Sequence, residues 1–93
     1  MNTYKPNQTP EKNLPEKKFR AGPIRATVWL NTAIDKEGKE LQYRTVSFER
    51  SYKDKNNAWQ TTHSLRTNDL PKASLVLNKA FEYLALAEQG SEA

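Results

Sequence analysis

The clearest pattern in the chain is a run of alternating apolar and polar residues between positions 24 and 30. Side chains in a β-strand alternate between two faces, so the four apolar residues share one face. They are Ile24, Ala26, Val28 and Leu30. The other face carries Arg25, Thr27 and Trp29. A cation, a hydroxyl and a large ring on a solvated sheet face indicate a binding surface.

Two turns and two further β-rich runs follow this strand. Asp35 to Gly38 predicts a first hairpin turn, and a glycine bulge at Gly38 would pair Val28 with Val46 and Ala26 with Phe48. Residues 41 to 53 form a long second strand, and the turn at residues 54 to 57 leads into a third. A four-residue loop there predicts the cross-strand pairs Tyr52 with Trp59, Phe48 with His63 and Val46 with Leu65.

This register assigns the strand residues to two faces. The predicted core face consists of Ile24, Ala26, Val28, Leu30, Val46, Phe48 and Leu65. The predicted outer face consists of Arg25, Thr27, Trp29, Thr45, Ser47, Glu49, Gln60, Thr62 and Arg66. Tyr52, Trp59 and Arg50 fall on the core side, beyond the part of the sheet that a helix covers.

A C-terminal helix closes the predicted core. Asn68 or Asp69 can cap its start before Pro71, the pattern runs to about Glu88, and Gly90 predicts its end. The apolar stripe at helical spacing consists of Leu70, Ala73, Val76, Leu77, Ala80, Phe81, Leu84 and Ala87. The predicted fold class is therefore α+β: an antiparallel sheet of three to four strands followed by one amphipathic helix. Residues 19 to 22 or 32 to 34 are candidates for the fourth strand.

The reverse side of this helix predicts a dimer interface. Leu75, Lys79, Glu82 and Leu86 line up there, and the two leucines are eleven residues apart, a spacing that returns to the same helix face. Burying both leucines requires a partner, although single exposed leucines are common. A folded part of about 70 residues is also near the size at which a second subunit helps stability. We therefore expect a homodimer.

The two ends of the chain differ in composition from its middle. Residues 1 to 18 are polar and contain three prolines, which predicts a flexible tail. A single domain is expected over residues 19 to 89 and a disordered end over residues 90 to 93. No apolar run has the length of a signal sequence or of a membrane span, and there is no cysteine, so we expect a cytoplasmic protein without membrane association.

Charge and residue types favour binding over catalysis. Fifteen Lys and Arg face 11 Asp and Glu, and residues 1 to 66 hold the positive excess while residues 67 to 93 are net negative. His63 is the only histidine, and no nucleophile set, phosphate-binding glycine loop or spacing of metal ligands occurs. We expect neither an enzyme nor a cofactor or metal.

Six residues are the candidates for nucleic-acid contact: Arg25, Trp29, Arg44, Arg50, Trp59 and Arg66. An aromatic plane stacks on any base, and arginine can contact phosphate. Trp29 could equally fill a dimer interface or lie under the tail. A Tyr52–Trp59 pair could simply stabilise a hairpin, and the arginines could form an ordinary solvated strand surface.

The layout of basic and aromatic strands followed by one amphipathic helix resembles the PC4 and Whirly group of single-stranded DNA-binding proteins, with Pur-type domains as a further architectural relative. The resemblance covers residues 19 to about 88 as a pattern. It implies binding of single strands on a curved sheet and dimerisation through helices. Segments such as Phe19 to Arg25, Phe48 to Lys55 and Asn68 to Ala73 are also similar to small uncharacterised prokaryotic proteins.

Two hypotheses follow for the function. The first is a dimeric module that binds single-stranded DNA or RNA with low sequence specificity. The alternative is a protein-interaction or accessory regulatory module that uses the same aromatic face, or the side of the helix with Leu75 and Leu86, without binding nucleic acid.

Overall fold

A computed structural model describes the backbone of residues 12–92 and the side chains of residues 13–87. The elements are β1 (Lys12–Ala21), β2 (Ile24–Ile34), β3 (Glu40–Lys53), β4 (Trp59–Thr62), a 3-10 turn (Thr67–Asp69) and α1 (Leu70–Glu92). The strands form one antiparallel sheet in the order β1-β2-β3-β4, and α1 lies over β1 and β2. The predicted α+β layout, a sheet followed by one helix, is confirmed.

The first strand begins inside the segment predicted to be a flexible tail. Residues 12 to 18 belong to β1 and pair with β2, so the tail prediction is wrong for them, and residues 1 to 11 lie outside the described part. Pro15 is tolerated because β1 is at the sheet edge and the register shifts between Pro15 and Lys17. An edge strand is held by backbone pairing and needs few apolar side chains. The fourth strand is therefore β1, and residues 32 to 34 extend β2.

The turn between β2 and β3 fixes the register that the sequence predicts. It spans residues 35 to 39, and the Asp35 N–H donates to the Lys39 carbonyl at 2.9 Å. Gly38 has φ 84°, a left-handed conformation that glycine adopts without strain. Val28 pairs with Val46, as the glycine bulge requires. The prediction for the β2–β3 register is confirmed.

The turn between β3 and β4 has the same form, and here the predicted register is wrong. It spans residues 54 to 58, one residue more than the predicted loop, and the Asp54 N–H donates to the Ala58 carbonyl at 3.0 Å. Asn57 has φ 65° and takes the place that Gly38 has in the first turn. Tyr52 therefore pairs with Gln60 and not with Trp59. One extra residue moves every β4 side chain to the other face, because the side-chain period is two.

The Asp54 carboxylate holds this second turn closed. Its Oδ1 accepts the N–H groups of Asn56 at 2.8 Å and Ala58 at 3.0 Å, and its Oδ2 accepts Gln60 Nε2 at 3.0 Å. The hydrogen bond from Ala58, followed by those from Gln60 and Asn56, lowers the pKa of Asp54 from its ordinary value. Asp35 closes the first turn in the same way, accepting from the N–H groups of residues 37 and 39.

The core lies between α1 and the middle of β2. The buried apolar side chains of the described part are Ile24, Ala26, Val28, Ala73, Val76 and Ala80. Leu30, Phe48 and Leu65, which the sequence also assigns to the core, are half-buried. Val46 is 38% exposed although its cross-strand neighbour Val28 is fully buried. The helix therefore covers β2 and leaves β3 partly uncovered.

Only one side of the predicted apolar stripe of α1 contacts the sheet. Leu70, Leu77 and Phe81, which the stripe also includes, are 53%, 38% and 67% exposed. On the other side of the helix from these three residues, Tyr83 contacts β1. Its ring and that of Phe19 stand edge to face with centroids 6.2 Å apart. This attachment to β1 leaves the other flank of the helix largely exposed among the residues that the structure describes. The prediction that these three side chains pack on the sheet is wrong.

The bounds of α1 differ from the predicted ones at its end. The helix begins at Leu70, and Asp69 Oδ2 accepts the Arg66 N–H at 2.8 Å in a capping arrangement. The backbone continues helically through Gly90 to Glu92, so Gly90 does not end the helix. Glycine costs a helix about 1 kcal/mol relative to alanine, which lowers helix stability without breaking the chain of hydrogen bonds.

One carboxylate links β1, β3 and the helix. Glu16 lies at the irregularity of β1, where its Oε1 accepts Arg44 Nε at 2.7 Å and its Oε2 accepts the Tyr83 hydroxyl. The hydrogen bond from Tyr83, followed by that from Arg44, lowers the pKa of Glu16, and the same carboxylate raises the pKa of Tyr83. Glu16 therefore stabilises the fold in its ionised form.

We predict that Glu16→Gln lowers the urea midpoint at pH 7 and that the difference from the wild type narrows as the pH falls below 4.5, the ordinary pKa of this carboxyl. A lowered folded-state pKa gives stability that is present above the unfolded pKa and is lost as the pH falls through the folded one. Glu82→Gln is the control, because Glu82 is exposed and, among the described residues, pairs only with Lys79. A midpoint difference that stays constant from pH 7 to pH 3 would contradict the prediction.

Candidate functional site

The face of the sheet opposite α1 is the candidate site, and we call it the open face. Ile24, Ala26 and Val28 point to the helix, so the strand residues between them and their cross-strand partners point away from it. The open face comprises Asn13, Pro15, Lys18, Arg20, Arg25, Thr27, Trp29, Asn31, Ala33, Leu41, Tyr43, Thr45, Ser47, Glu49, Ser51, Lys53, Trp59 and Thr61. No described helix covers it.

Trp29 is fixed in the middle of this face. Its indole N–H donates to Ser47 Oγ on the neighbouring strand at 2.9 Å, and the side chain is half-buried. Thr27, two residues away, is only 5% exposed although no described helix lies above it. The hydrogen bond to Ser47 satisfies the indole N–H inside the protein.

Arg25 forms an ion pair with Glu49 across the β2–β3 ladder. The two side chains are 34% and 30% exposed. The pair offsets part of the charge of the guanidinium. The sequence assigns both residues to the outer face, and the structure confirms this placement.

Trp59 lies on the open face, which corrects its predicted placement on the core side. It pairs with Lys53 and is 68% exposed, and Lys53 Nζ lies 5.4 Å from the centroid of its ring. The ring borders a shallow cleft of about 280 Å³ together with Arg20, Ser51 and Thr61. The Arg20 guanidinium is directed along the turn, since its Nε donates to the Gly22 carbonyl at 3.1 Å. The fifth residue of the β3–β4 turn thus brings Trp59 to the same face as Trp29.

Arg44 and Arg50 lie on the helix-bearing face, away from both tryptophans. Arg44 is engaged by Glu16. Arg50 Nε lies 3.3 Å from Asp69 Oδ2 and donates to the Ser64 carbonyl at 3.1 Å, and its guanidinium lies over the Tyr52 ring. These two arginines join β3 to β1 and to the start of α1, so they do not form one surface with Arg25 and Trp29.

Three other residues that the sequence assigns to the outer face lie outside the open face. Gln60 and Thr62 pair with Tyr52 and Arg50 on the helix-bearing face, since the β4 register differs by one. Arg66 lies outside the sheet, at the residue before the 3-10 turn, because β4 ends at Thr62. Arg66 is exposed, but its position is set by the turn and not by a strand.

The cations Lys18, Arg20 and Lys53 belong to the open face and were missed as site residues. Lys18 pairs with Thr27 and Arg20 pairs with Arg25. Gly22 and Pro23 form a two-residue turn between β1 and β2, and Gly22 has φ 60°. Glycine at that place is typical of tight hairpins, so this pairing could have been predicted from the sequence. Tyr43, 46% exposed and paired with Asn31, adds a third ring.

The predicted dimer residues lie on the side of α1 that faces away from the sheet. Leu75 is 52% and Leu86 61% exposed, and Lys79 Nζ lies 3.4 Å from Glu82 Oε1. The four side chains share one surface, as the helical spacing predicts.

His63, the one histidine of the sequence, lies just after β4. The exposed His63 ring lies 5.9 Å from the Phe48 ring, the neighbour that the sequence predicts for it, although β4 ends one residue before it. Within the side chains described, no group of three His, Asp or Glu is placed to hold a metal ion. No helix in this part of the chain is both long and apolar enough to cross a bilayer.

Comparison of the chain with protein families, with curated proteins and with solved structures found no match.

We predict that Asn57→Val destabilises the domain by about 1–2 kcal/mol, because a β-branched residue is strained at φ 65°. Asn57→Gly should leave stability unchanged or slightly raised. Asn56→Val, one position earlier in the same turn, is the matched control and should have a smaller effect. Urea unfolding followed by circular dichroism measures all three, and equal losses from the two valine variants would contradict the assigned turn.

Proposed function

We propose that this protein binds single-stranded nucleic acid, DNA in the first place, through the open face and with little sequence preference. The observation that carries the proposal is that both tryptophans of the chain and four cations lie on one sheet face that no described helix covers. The four cations are Lys18, Arg20, Arg25 and Lys53. The proposal replaces Arg44, Arg50 and Arg66 of the sequence prediction by Lys18, Arg20 and Lys53, and it gives His63 no catalytic role.

Charge supports a polyanionic ligand. Among the strand residues of the open face, Glu49 is the one anion, and it is already paired with Arg25. A ligand that contacts all four cations would release counterions, and log K would fall with log salt with a slope of about −3 for a single strand. Affinity should therefore be high at low salt and modest at physiological salt.

The aromatic residues support a single strand over a duplex. A ring on a sheet can stack on a base only when that base is unstacked from its neighbours, and each such contact contributes about 1–3 kcal/mol. Duplex DNA is read in its major groove by an α-helix or a narrow β-ribbon. The open face instead presents a broad sheet with rings at two places. Stacking is tolerant of base identity, which agrees with low sequence preference.

We predict that Lys18→Gln and Lys53→Gln each weaken binding of a labelled mixed-sequence oligonucleotide and lower the salt slope by about 0.7. The matched control is Lys79→Gln, which removes the same charge from the surface of α1 that faces away from the sheet. Fluorescence anisotropy at several salt concentrations measures both quantities. Equal effects of the three substitutions would indicate general charge attraction and would contradict a site on the open face.

A protein-interaction module is the second candidate. The exposed rings of Trp59 and Tyr43, 68% and 46% accessible, favour it, because aromatic residues are also enriched at protein interfaces. Such a module would bind a protein partner with little dependence on salt and would not bind oligonucleotides. The anisotropy experiment above separates the two candidates, and a cytoplasmic location is part of both proposals.

We also propose that the functional unit is a homodimer. The uncovered surface consists of Leu70, Leu77 and Phe81 on the flank of α1 and of Val46 on β3, and we call it the helix flank. Tyr83 faces β1 on the other side of the helix, so the flank is directed toward the uncovered part of β3. Helix and strand thus form one apolar surface at the edge of a small core.

A second copy of the chain is the partner that fits this surface best. Only six apolar side chains of the described part are buried, which is a small core for a domain of this size. A partner needed for folding must be present whenever the chain is made, and a second copy always is. A two-fold axis beside α1 would let each helix cover the exposed part of the other subunit's β3. Leu75 and Leu86 would then lie at the border of the interface.

We predict that Phe81→Ser and Leu77→Ser shift the protein toward monomer or reduce its stability as concentration falls, because they place a hydroxyl in the buried interface. Leu75→Ser with Leu86→Ser tests the interface that the sequence predicts and should change the mass much less. Sedimentation velocity over a hundredfold range of concentration measures the oligomeric state. A wild-type monomer at all concentrations would contradict the dimer.

A further inference from the structure

We infer that one nucleic-acid strand runs along β3 across the whole open face and contacts Trp29 and Trp59 at the same time. The inference rests on the proposed function, and it adds the path of the strand and a minimum ligand length. It is carried by the register of the sheet, which fixes where each open-face residue lies along one axis.

The register gives the distance between the two tryptophans. Trp29 is paired with Thr45 of β3 and Trp59 with Lys53 of β3, so they are eight residues apart along that strand. At about 3.3 Å per residue this separation is about 27 Å. The two rings are also two strand spacings apart, about 10 Å. A ligand that contacts both must therefore cover close to 30 Å.

Three of the cations lie at levels between the two rings, and the fourth is level with Trp59. Lys18 is level with Thr27, two residues along the axis from Trp29. Arg20 and Arg25 follow two residues later, and Lys53 stands beside Trp59 at the far end. Successive levels are about 7 Å apart, since side chains on one face repeat every second residue. Positive charge therefore accompanies the path from one ring to the other, as a continuous phosphate backbone requires.

The edge of the open face near Trp59 is suited to bind the end of the nucleic-acid strand. The cleft between Arg20, Ser51, Thr61 and Trp59 is open to solvent and combines a cation, two hydroxyls and a ring. A base stacked on Trp59 would bring its phosphate toward Arg20. Asp54 lies beyond Trp59, and its carboxylate is taken up by the hydrogen bonds of the turn. The negative charge of Asp54 repels phosphate, so we expect the nucleic-acid strand to leave the open face in a direction away from the β3–β4 turn.

This geometry predicts a threshold in ligand length. At about 3.4 Å per nucleotide in a stacked strand, about nine steps cover close to 30 Å, and a more extended strand needs fewer. The value lies within the range of about 4–16 nucleotides that known single-strand modules cover. Once a nucleic-acid strand bound to one tryptophan is long enough to reach the other, its contact with the second ring forms within the complex. The effective concentration at that ring is then high, which raises the affinity.

The experiment is a series of labelled oligothymidylates of 3, 5, 7, 9 and 12 nucleotides, titrated at low salt against the wild type, Trp29→Leu and Trp59→Leu. For the wild type we expect affinity to rise by about 5- to 150-fold between 3 and 9 nucleotides, the gain of one stacked base, and to change little beyond. Each leucine variant should lose that stacking gain, so that the ratio of its affinities for the 12-mer and the 3-mer falls about 5- to 150-fold below the wild-type ratio, while the contribution of the cations remains. Tyr52→Leu, on the helix-bearing face, is the matched control and should keep the threshold.

Tryptophan emission gives a second readout that does not depend on affinity. The chain has two tryptophans, so each leucine variant leaves one, and the 12-mer should quench Trp29 in one variant and Trp59 in the other. Quenching of only one of them, or a threshold that persists in both variants, would overturn the spanning path and leave the nucleic-acid function standing. Absence of binding at every length would overturn the proposed function as well. Circular dichroism of each variant verifies that it is folded.

Discussion

The arrangement of this protein depends on how two aspartates close the turns at the ends of β3. Asp35 and Asp54 each begin a five-residue turn in which the carboxylate accepts two backbone N–H groups and the fourth residue has a positive φ. The length of each turn sets the pairing of the strands that flank it. Because strand side chains alternate with period two, a turn one residue shorter would reverse which face each β4 side chain occupies. The turns thus decide the composition of both faces.

Because α1 covers one face of the sheet, the arginines on that face have structural roles, whereas the cations on the open face are available to a ligand. On its side of the sheet, Arg44 and Arg50 are bound by Glu16 and Asp69, and their charges hold strands to the helix. On the open face the cations have fewer protein partners: Arg25 pairs with Glu49, and Lys53 lies over Trp59. Residues of the same type therefore have different roles, and the difference comes from the face on which each one lies.

The position of α1 is the second constraint. Tyr83 is held by Phe19 and Glu16, both on β1, so the helix covers the first two strands. The buried residues on the helix are mostly small, Ala73 and Ala80 beside Val76, which lets the helix approach the sheet closely. The larger apolar residues Leu77 and Phe81 are left on the flank. Because α1 lies over β1 and β2, the covered core is small and the apolar flank of the helix is uncovered. Both features are reasons to propose a second copy of the chain as the partner.

The fold class, the face of β2, the β2–β3 register and the start of the helix could all be predicted from the sequence. These features follow from local signals: the period of two, the positive φ available to Gly38, and a capping residue before Pro71. The same reasoning could have found the second turn, since Asp54 and Asn57 repeat the positions of Asp35 and Gly38. It could not predict that β1 extends back to Lys12, because the polar residues and the proline before Phe19 are stabilised by pairing with β2 and not by burial. The folded chain was needed to show which arginines are bound inside the protein and which part of the helix stays uncovered. Each of these depends on contacts between residues far apart in the chain, and periodicity along the sequence carries no information about them.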